Sequence, residues 1–480
     1  MPAGALALLT AAAIAHAGAL DDMGFTDLRA AHPELTGADQ TVAQPEAGGN
    51  YQVNPALVGQ PGTLFHYYDD THPYGGAGAS FSAGLSANHP NDVGKNLYGA
   101  TAGGAPGVQA VENFDADYFI SGIVIRIVTN GSVSTWQPVA IDSPIVNQSF
   151  IFGDSTSAED VAAINAFYDA YADVFGTLFV NGLDNGAGSL TNAPASMFNG
   201  IAVGRADGNH SGRAQLVAPA SATSYATPYV SAAAVVLRQA AGLGYFQALS
   251  GTDATDARVL KAGLLNGATK TAGWTHTSTD PLDAISGAGV VNVNTSFNML
   301  SGGQHARSIS TTTALGAIST ATPFASPVAG FDGWDLRALT ATNSTDAVNH
   351  YFFDLASYTS LTLTATLTWN SLVDLGAGVD AISNFDLVLV DVTSQTVVWS
   401  SASTTQNVEH IYLTNLPGSK YDLQVVLRGG PSAPALTDSY AAVWSWQHDG
   451  ATPVPEPDCV WIIAALCGAF VLQRRLARRA

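Results

Sequence analysis

Residues 216–237 read LVAPASATSYATPYVSAAAVVL. A loop of small residues carries Thr223-Ser224 into Ala226-Thr227-Pro228, and good helix formers follow at once. Proline suits an early helical position, so the pattern predicts a helix over 228–241. A serine just ahead of such a helix stands beside unpaired N–H groups and a partial positive charge. Those features steady a developing oxyanion and suit a nucleophile. Small side chains along the helix would let it pack close to neighbouring strands.

Composition narrows what surrounds this segment. The chain has 480 residues, room for two or three domains. Hydrophobic residues make up 47%, enough for a sizeable core, while charged residues are only 11%, against the roughly 25% of ordinary soluble domains. The formal net charge is −21, although Arg474, Arg475, Arg478 and Arg479 cluster at the end of the chain. A nucleic-acid binder needs a basic face, and the acidic body offers none, so no nucleic-acid partner is expected. The two cysteines, Cys459 and Cys467, both lie in the C-terminal apolar run, which excludes a disulfide scaffold or a cysteine nucleophile in the body.

Upstream, 157–175 has the pattern of a second helix, and short apolar runs alternate with such segments through 20–305. That alternation predicts an α/β domain with a mainly parallel sheet flanked by helices. Residues 306–325 are Ser/Thr/Ala-rich and read as a linker. Beyond it, 351–355, 361–369, 385–390, 397–400, 410–413 and 421–427 are short, rich in β-branched or aromatic residues and separated by turns. They predict an all-β sandwich over 326–449.

The 216–237 segment resembles the serine motif of the subtilisin-like proteases, Gly-Thr-Ser-x-Ala-Thr/Ser-Pro-x-Val. Thr223, Ser224, Ala226, Thr227, Pro228 and Val230 match in register, and Ala222 replaces the glycine. The resemblance implies that Ser224 is the nucleophile. His89-Pro90-Asn91-Asp92-Val93-Gly94, followed by Gly103-Gly104-Ala105-Pro106-Gly107, resembles the family's histidine segment. This makes His89 the general base; His66, His72 and His210 lie in surroundings that do not fit. Residues 35–48 align without gaps on the aspartate segment and put Glu46 on the aspartate position, with Asp39, Asp69 and Asp70 as alternatives. Glutamate has the same charge and one more methylene, and Ser-His-Glu triads exist on other folds. Pro45 removes a strand N–H beside it, which is unusual.

Residues 176–186, GTLFVNGLDNG, resemble the family's oxyanion strand and turn, with Asn185 as side-chain donor. Residues 146–150 resemble its substrate-edge strand, which assigns Asn147 and Ser149 to that edge. Residues 287–292 resemble its closing Gly-x-Gly-x-Val-Asn segment. The resemblance runs in order along 35–295. It implies a subtilisin-like domain followed by a jelly-roll-like sandwich, a serine endopeptidase and a peptide or protein substrate. No cofactor is certain; many family members bind Ca²⁺, which is possible here, but no loop has a ligand spacing that specifies it. Sedolisin-type serine-carboxyl peptidases carry Glu-x-x-x-Asp, whereas Asn50 stands four residues after Glu46. The departures at 46, 90–92, 184 and 222 leave a second expectation, an inactive surface protein of this fold that binds peptide or extracellular matrix.

Both ends read as addresses. Residues 2–17 are apolar and close on Ala15-His16-Ala17, a small-x-small cleavage pattern, so 1–19 is expected to be a signal peptide. Residues 452–480 hold Pro455-Glu456-Pro457, a 14-residue apolar run at 459–472 and an Arg-rich tail, and resemble the PEP-CTERM sorting signal of Gram-negative bacteria. The resemblance implies an exosortase-type transpeptidase as partner and a transient inner-membrane intermediate through 459–472. The destination would be the cell surface or extracellular matrix.

Overall fold

A computed structural model of the chain describes residues 18–153, 156–186, 192–375, 379–430 and 436–448. The expected signal peptide up to residue 17 and the expected sorting signal at 452–480 lie outside the described residues. Among the described residues no helix is long and apolar enough to cross a membrane.

The first part is a seven-stranded sheet. Its strands are β1 (Thr41–Glu46), β2 (Phe65–Tyr68), β3 (Ala110–Asp115), β4 (Ile145–Gln148), β5 (Leu178–Gly182), β6 (Ile201–Arg205) and β7 (Leu216–Ala218). The order is β2-β3-β1-β4-β5-β6-β7, and every pairing is parallel. Parallel sheets are covered on both faces, which is why β4 to β7 are almost wholly buried. Six helices bear on the argument: α1 (Phe25–Ala31), α2 (Asn88–Leu97), α3 (Ala158–Phe175), α4 (Thr223–Gly242), α5 (Ala257–Asn266) and α6 (Val293–Ser301). α4 packs beneath β4 to β7. Its Ala226, Ala232, Ala233 and Ala234 are completely buried, so the small residues do bring helix and sheet together. From the sheet side, a Cβ on Gly182 of β5 would stand 2.8 Å from Thr227 Oγ1. The other face is filled by an aromatic cluster including Tyr168 and Tyr171 of α3, Phe179, Phe114 and Phe119.

The closing Gly-x-Gly has a steric cause. Gly287 (φ +59°) and Gly289 (φ +128°) adopt left-handed backbone, and a Cβ on either would come within 2.4 Å of the backbone of Gln215 or Thr269. Val290 then bridges Val217 and Thr269, and the Asn292 side chain caps α6 by accepting the Thr295 N–H at 3.0 Å.

The second part is an antiparallel sandwich, as expected. Its strands are β8 (Ile309–Ala314), β9 (Asp332–Ala341), β10 (Thr345–Asp354), β11 (Leu361–Trp369), β12 (Phe385–Asp391), β13 (Thr396–Ser401), β14 (Val408–Leu416), β15 (Lys420–Leu427) and β16 (Leu436–His448). They form sheets β8-β10-β15-β12-β13 and β9-β16-β11-β14. The stretch 306–325, read as a linker, holds an edge strand: β8 pairs with β10 from Ile309↔His350 to Ala314↔Thr345. Its Ser and Thr residues alternate between half-buried (Thr311, Thr313) and exposed (Ser310, Thr312) positions along that edge.

The sandwich rests on α5 and α6. Trp334, Val408 and Val443 belong to the same buried cluster as the sheet–helix core, and the Trp334 indole N–H donates to the Phe246 carbonyl at 2.9 Å. Phe198 O accepts from Lys261 Nζ at 2.7 Å and from Asn407 Nδ2 at 2.9 Å, which ties α5 and the sandwich to one loop.

Candidate active site

Glu46 ends β1, between β3 on one side and β4 on the other. Strand order reverses there, and in open α/β sheets the crevice at the carboxyl ends of such strands receives ligands. The carboxylate is fully buried, yet both of its oxygens have donors. Oε2 lies 2.9 Å from His89 Nδ1, and Oε1 accepts from Gln44 Nε2 at 2.8 Å. Pro45 fits beside it because the ladder from β1 to β4 is made at Val42 and Ala43 only. Pro45 lies beyond its end.

His89 is in the first turn of α2, with 42% of its side chain exposed. The hydrogen bond to Glu46 raises the imidazole above its ordinary value. Burial opposes that effect, and the charges of Glu46 and Asp92 add to it. Pro90 is tolerated because first-turn N–H groups have no intrahelical partner. Its carbonyl accepts from Gln44 Nε2 at 3.0 Å, while Asn91 Oδ1 accepts the Asn54 N–H at 2.7 Å. Two of the three departures from the histidine motif, Pro90 and Asn91, thereby tie the start of α2 to β1 and to Asn54. Asp92 pairs with Lys95 at 2.8 Å on the exposed side.

α4 begins earlier than the sequence pattern predicted. It starts at Thr223, after Ala222 in extended conformation, so Ser224 sits inside the first turn and Pro228 inside the helix. Pro228 supplies no N–H to the carbonyl four residues back, that of Ser224. That carbonyl accepts the Ser149 hydroxyl at 2.9 Å. The Tyr225 ring lies 5.8 Å from the His89 ring, centroid to centroid, which brings the first turn of α4 against the histidine.

Asn185 is exposed, and its Oδ1 accepts the Thr223 N–H at 3.0 Å. With its oxygen held by the helix start, the amide has its donor end available. Asn147 and Ser149 were expected at a substrate edge; the structure shows where their side chains turn. Both are buried, at 1% and 6% exposure, and their side chains turn to α4: Asn147 Nδ2 donates to Ser149 Oγ at 3.0 Å, and Ser231 Oγ donates to Asn147 Oδ1 at 2.8 Å. Strand β4 is interior, so these side chains meet the helix beneath it.

Gln44 escaped the sequence reading. Its signal was available: positions 44 and 46 fall on one face of a strand. Tyr98 OH donates to Gln44 Oε1 at 2.5 Å, and Asn113 Nδ2 donates to the Gln44 carbonyl at 2.8 Å, so the amide is itself held. The less fitting histidine His210 is a buried structural group. Its Nδ1 accepts the Arg205 N–H at 3.2 Å, Nε2 lies 3.1 Å from the Ile285 carbonyl, and burial lowers its pKa. Asp69 is occupied by Tyr51, Thr71 and His72. Among the described residues no group of three or more His, Cys, Asp or Glu side chains could hold a metal ion.

No family model matches the chain, and no curated protein does. Solved structures similar to it include the S218A mutant of the protease domain of PatA, at 18% identity over 56% of this chain and 98% of that chain, TM-score 0.38. Prenylagaramide maturation protease PagA is similar at 17% identity over 57% and 98%, TM-score 0.37. The Aeromonas sobria serine protease, solved with the chaperone ORF2, is similar at 11% identity over 87% and 89%, TM-score 0.38.

Proposed function

We propose that the chain is an exported serine endopeptidase of the subtilisin-like type, working through Ser224, His89 and Glu46. The observation that carries this reading is the 2.9 Å link between Glu46 and His89 at the strand ends, with His89 packed beside Tyr225, the residue after Ser224. His89 would take the Ser224 hydroxyl proton as Oγ attacks the scissile carbonyl. Glu46 would hold Nδ1 and stabilise the imidazolium. The Ser224 backbone N–H and Asn185 Nδ2 would hold the oxyanion. His89 would then protonate the leaving amine, and water would release the acyl group. A hydrogen bond between His89 and Ser224 would be made as substrate binds.

Export and C-terminal sorting belong to the same proposal and rest on the two terminal sequences. They imply processing at Pro455-Glu456-Pro457 by an exosortase-type enzyme and display on a Gram-negative surface or matrix. A serine-directed phosphonate probe tests the chemistry. Labelling and casein cleavage by the wild type, both lost in Ser224→Ala, are expected. A folded wild type that neither labels nor cleaves would replace this reading with that of a peptide-binding surface protein.

A further inference from the structure

The nucleophile's backbone is held from outside its helix. Three side chains and one carbonyl form a continuous chain. Ser231 Oγ donates to Asn147 Oδ1 at 2.8 Å, Asn147 Nδ2 to Ser149 Oγ at 3.0 Å, and Ser149 Oγ to the Ser224 carbonyl at 2.9 Å. Ser224 and Ser231 are seven residues apart, so they share one face of α4. Asn147 and Ser149 are two apart, so they share one face of the extended segment that begins in β4. Both ends of the chain are therefore on the helix, and its middle is on the sheet. All four residues are buried.

We propose that Ser149 is a positioning residue for the Ser224 nucleophile, filling the hydrogen-bond vacancy that Pro228 creates. This rests on Ser224 being the nucleophile. An ordinary residue at 228 would hold the Ser224 carbonyl through the helix alone. With proline there, the first turn has one fewer internal tie, and the Ser149 hydroxyl replaces it. Pinning the carbonyl fixes the rotation of the Ser224 peptide unit. That rotation sets where the Ser224 N–H and Oγ point, the first toward an oxyanion and the second toward His89. Asn147 orients the Ser149 hydroxyl by occupying one of its lone pairs. Ser231 fixes Asn147 in turn, so Ser231 acts at a distance of two helical turns.

The test compares wild type, Ser149→Ala and Ser231→Ala as full-length proteins. Phosphonate titration counts active sites, kcat and KM are measured per titrated site, and hydrogen exchange is followed in the peptide spanning 219–232. In Ser149→Ala an unpaired buried carbonyl is expected to lower kcat per site roughly 10- to 100-fold with KM unchanged. Exchange should quicken in the first turn of α4. Ser231→Ala should move both readouts in the same direction by less, because the Ser149–Ser224 bond itself remains. A merely structural role would lower the fraction of active sites and leave kcat per site intact, and that result, in folded protein with unchanged exchange, overturns the proposal. If wild type neither labels nor cleaves, the peptidase reading fails, and exchange decides the positioning separately. Faster exchange in Ser149→Ala then upholds the Ser149 tie, and unchanged exchange overturns it.

Discussion

Gln44 and Glu46 stand two residues apart on one strand, and the amide of the first donates to the carboxylate of the second at 2.8 Å. The remaining carboxylate oxygen is thus committed to His89 at 2.9 Å. Neither oxygen of this buried carboxylate is left without a hydrogen-bond partner.

Glu46→Gln follows directly. A general base must be neutral, and the hydrogen bond to Glu46 raises His89 above 6.5. The acid limb of kcat/KM in the wild type should therefore lie above pH 6.5. In Glu46→Gln the limb should move to lower pH, and the plateau should fall by about two to four orders of magnitude. A pH–rate profile of both proteins checks this, and an unmoved limb would remove Glu46 from the triad. The same pair contributes to folding with the opposite sense. Its stabilisation is complete below the unfolded histidine value and fades as pH rises through the raised one.

On the proposed mechanism Asn185 has two jobs that substitutions can separate. Asn185→Ala would remove both the proposed oxyanion donor and the acceptor for the Thr223 N–H. Asn185→Asp keeps the acceptor alone. Both should lower kcat by roughly 100- to 1,000-fold with little change in KM. Only Asn185→Ala should also loosen the start of α4, read as faster amide exchange there.

Lys261 sits almost wholly inside the core, and desolvation brings its pKa down to about 7, with the Asp169 charge opposing. Between about 7 and 10.5 the unfolded chain holds a proton that the folded chain lacks, so folding stability should rise with pH across that window. Lys261→Met should stabilise by about 1–3 kcal/mol below pH 7, with the gain gone above pH 10.5. The Phe198 carbonyl keeps Asn407 as a partner in the variant. Thermal unfolding of both proteins at several pH values reads the crossover.

Arg428 joins Asp346 at 2.7 Å and Asp386 at 2.6 Å inside the sandwich. Arg428→Met would strand two buried carboxylates and should cost about 3–5 kcal/mol in urea unfolding followed by tryptophan fluorescence. Adding Asp346→Asn and Asp386→Asn should recover much of that loss, because the penalty belongs to unpaired charge.

The parts of the site legible in the sequence were those where one residue type is needed at a fixed spacing. His89 lies in the first turn of a helix and Glu46 ends a strand, the local settings read from the sequence, whereas Ser224 lies inside the helix that was expected to follow it. The helix start was misplaced because proline was read as marking the first turn, whereas the Ser149 hydroxyl, just past the end of β4, lets it sit deeper. The inward turn of the Asn147 and Ser149 side chains was not legible, because it depends on which helix lies beneath the sheet. Strand β8 looked like linker because an edge strand with one partner needs no apolar alternation, and Ser and Thr satisfy it equally well. Gln44 was missed for a different reason: its two-residue spacing from Glu46 puts both on one strand face, and that spacing was not used.

Trp334 gives the sandwich a different status from that of an attached module. Its ring lies within the buried cluster that closes over α5 and α6, and its N–H is spent on a carbonyl of the first part. A chain ending after residue 305 would leave that cluster open to water on one side. Cutting the chain there should therefore lower the stability of the sheet-and-helix part, and a chimera that keeps this part would need another apolar cover over α5 and α6.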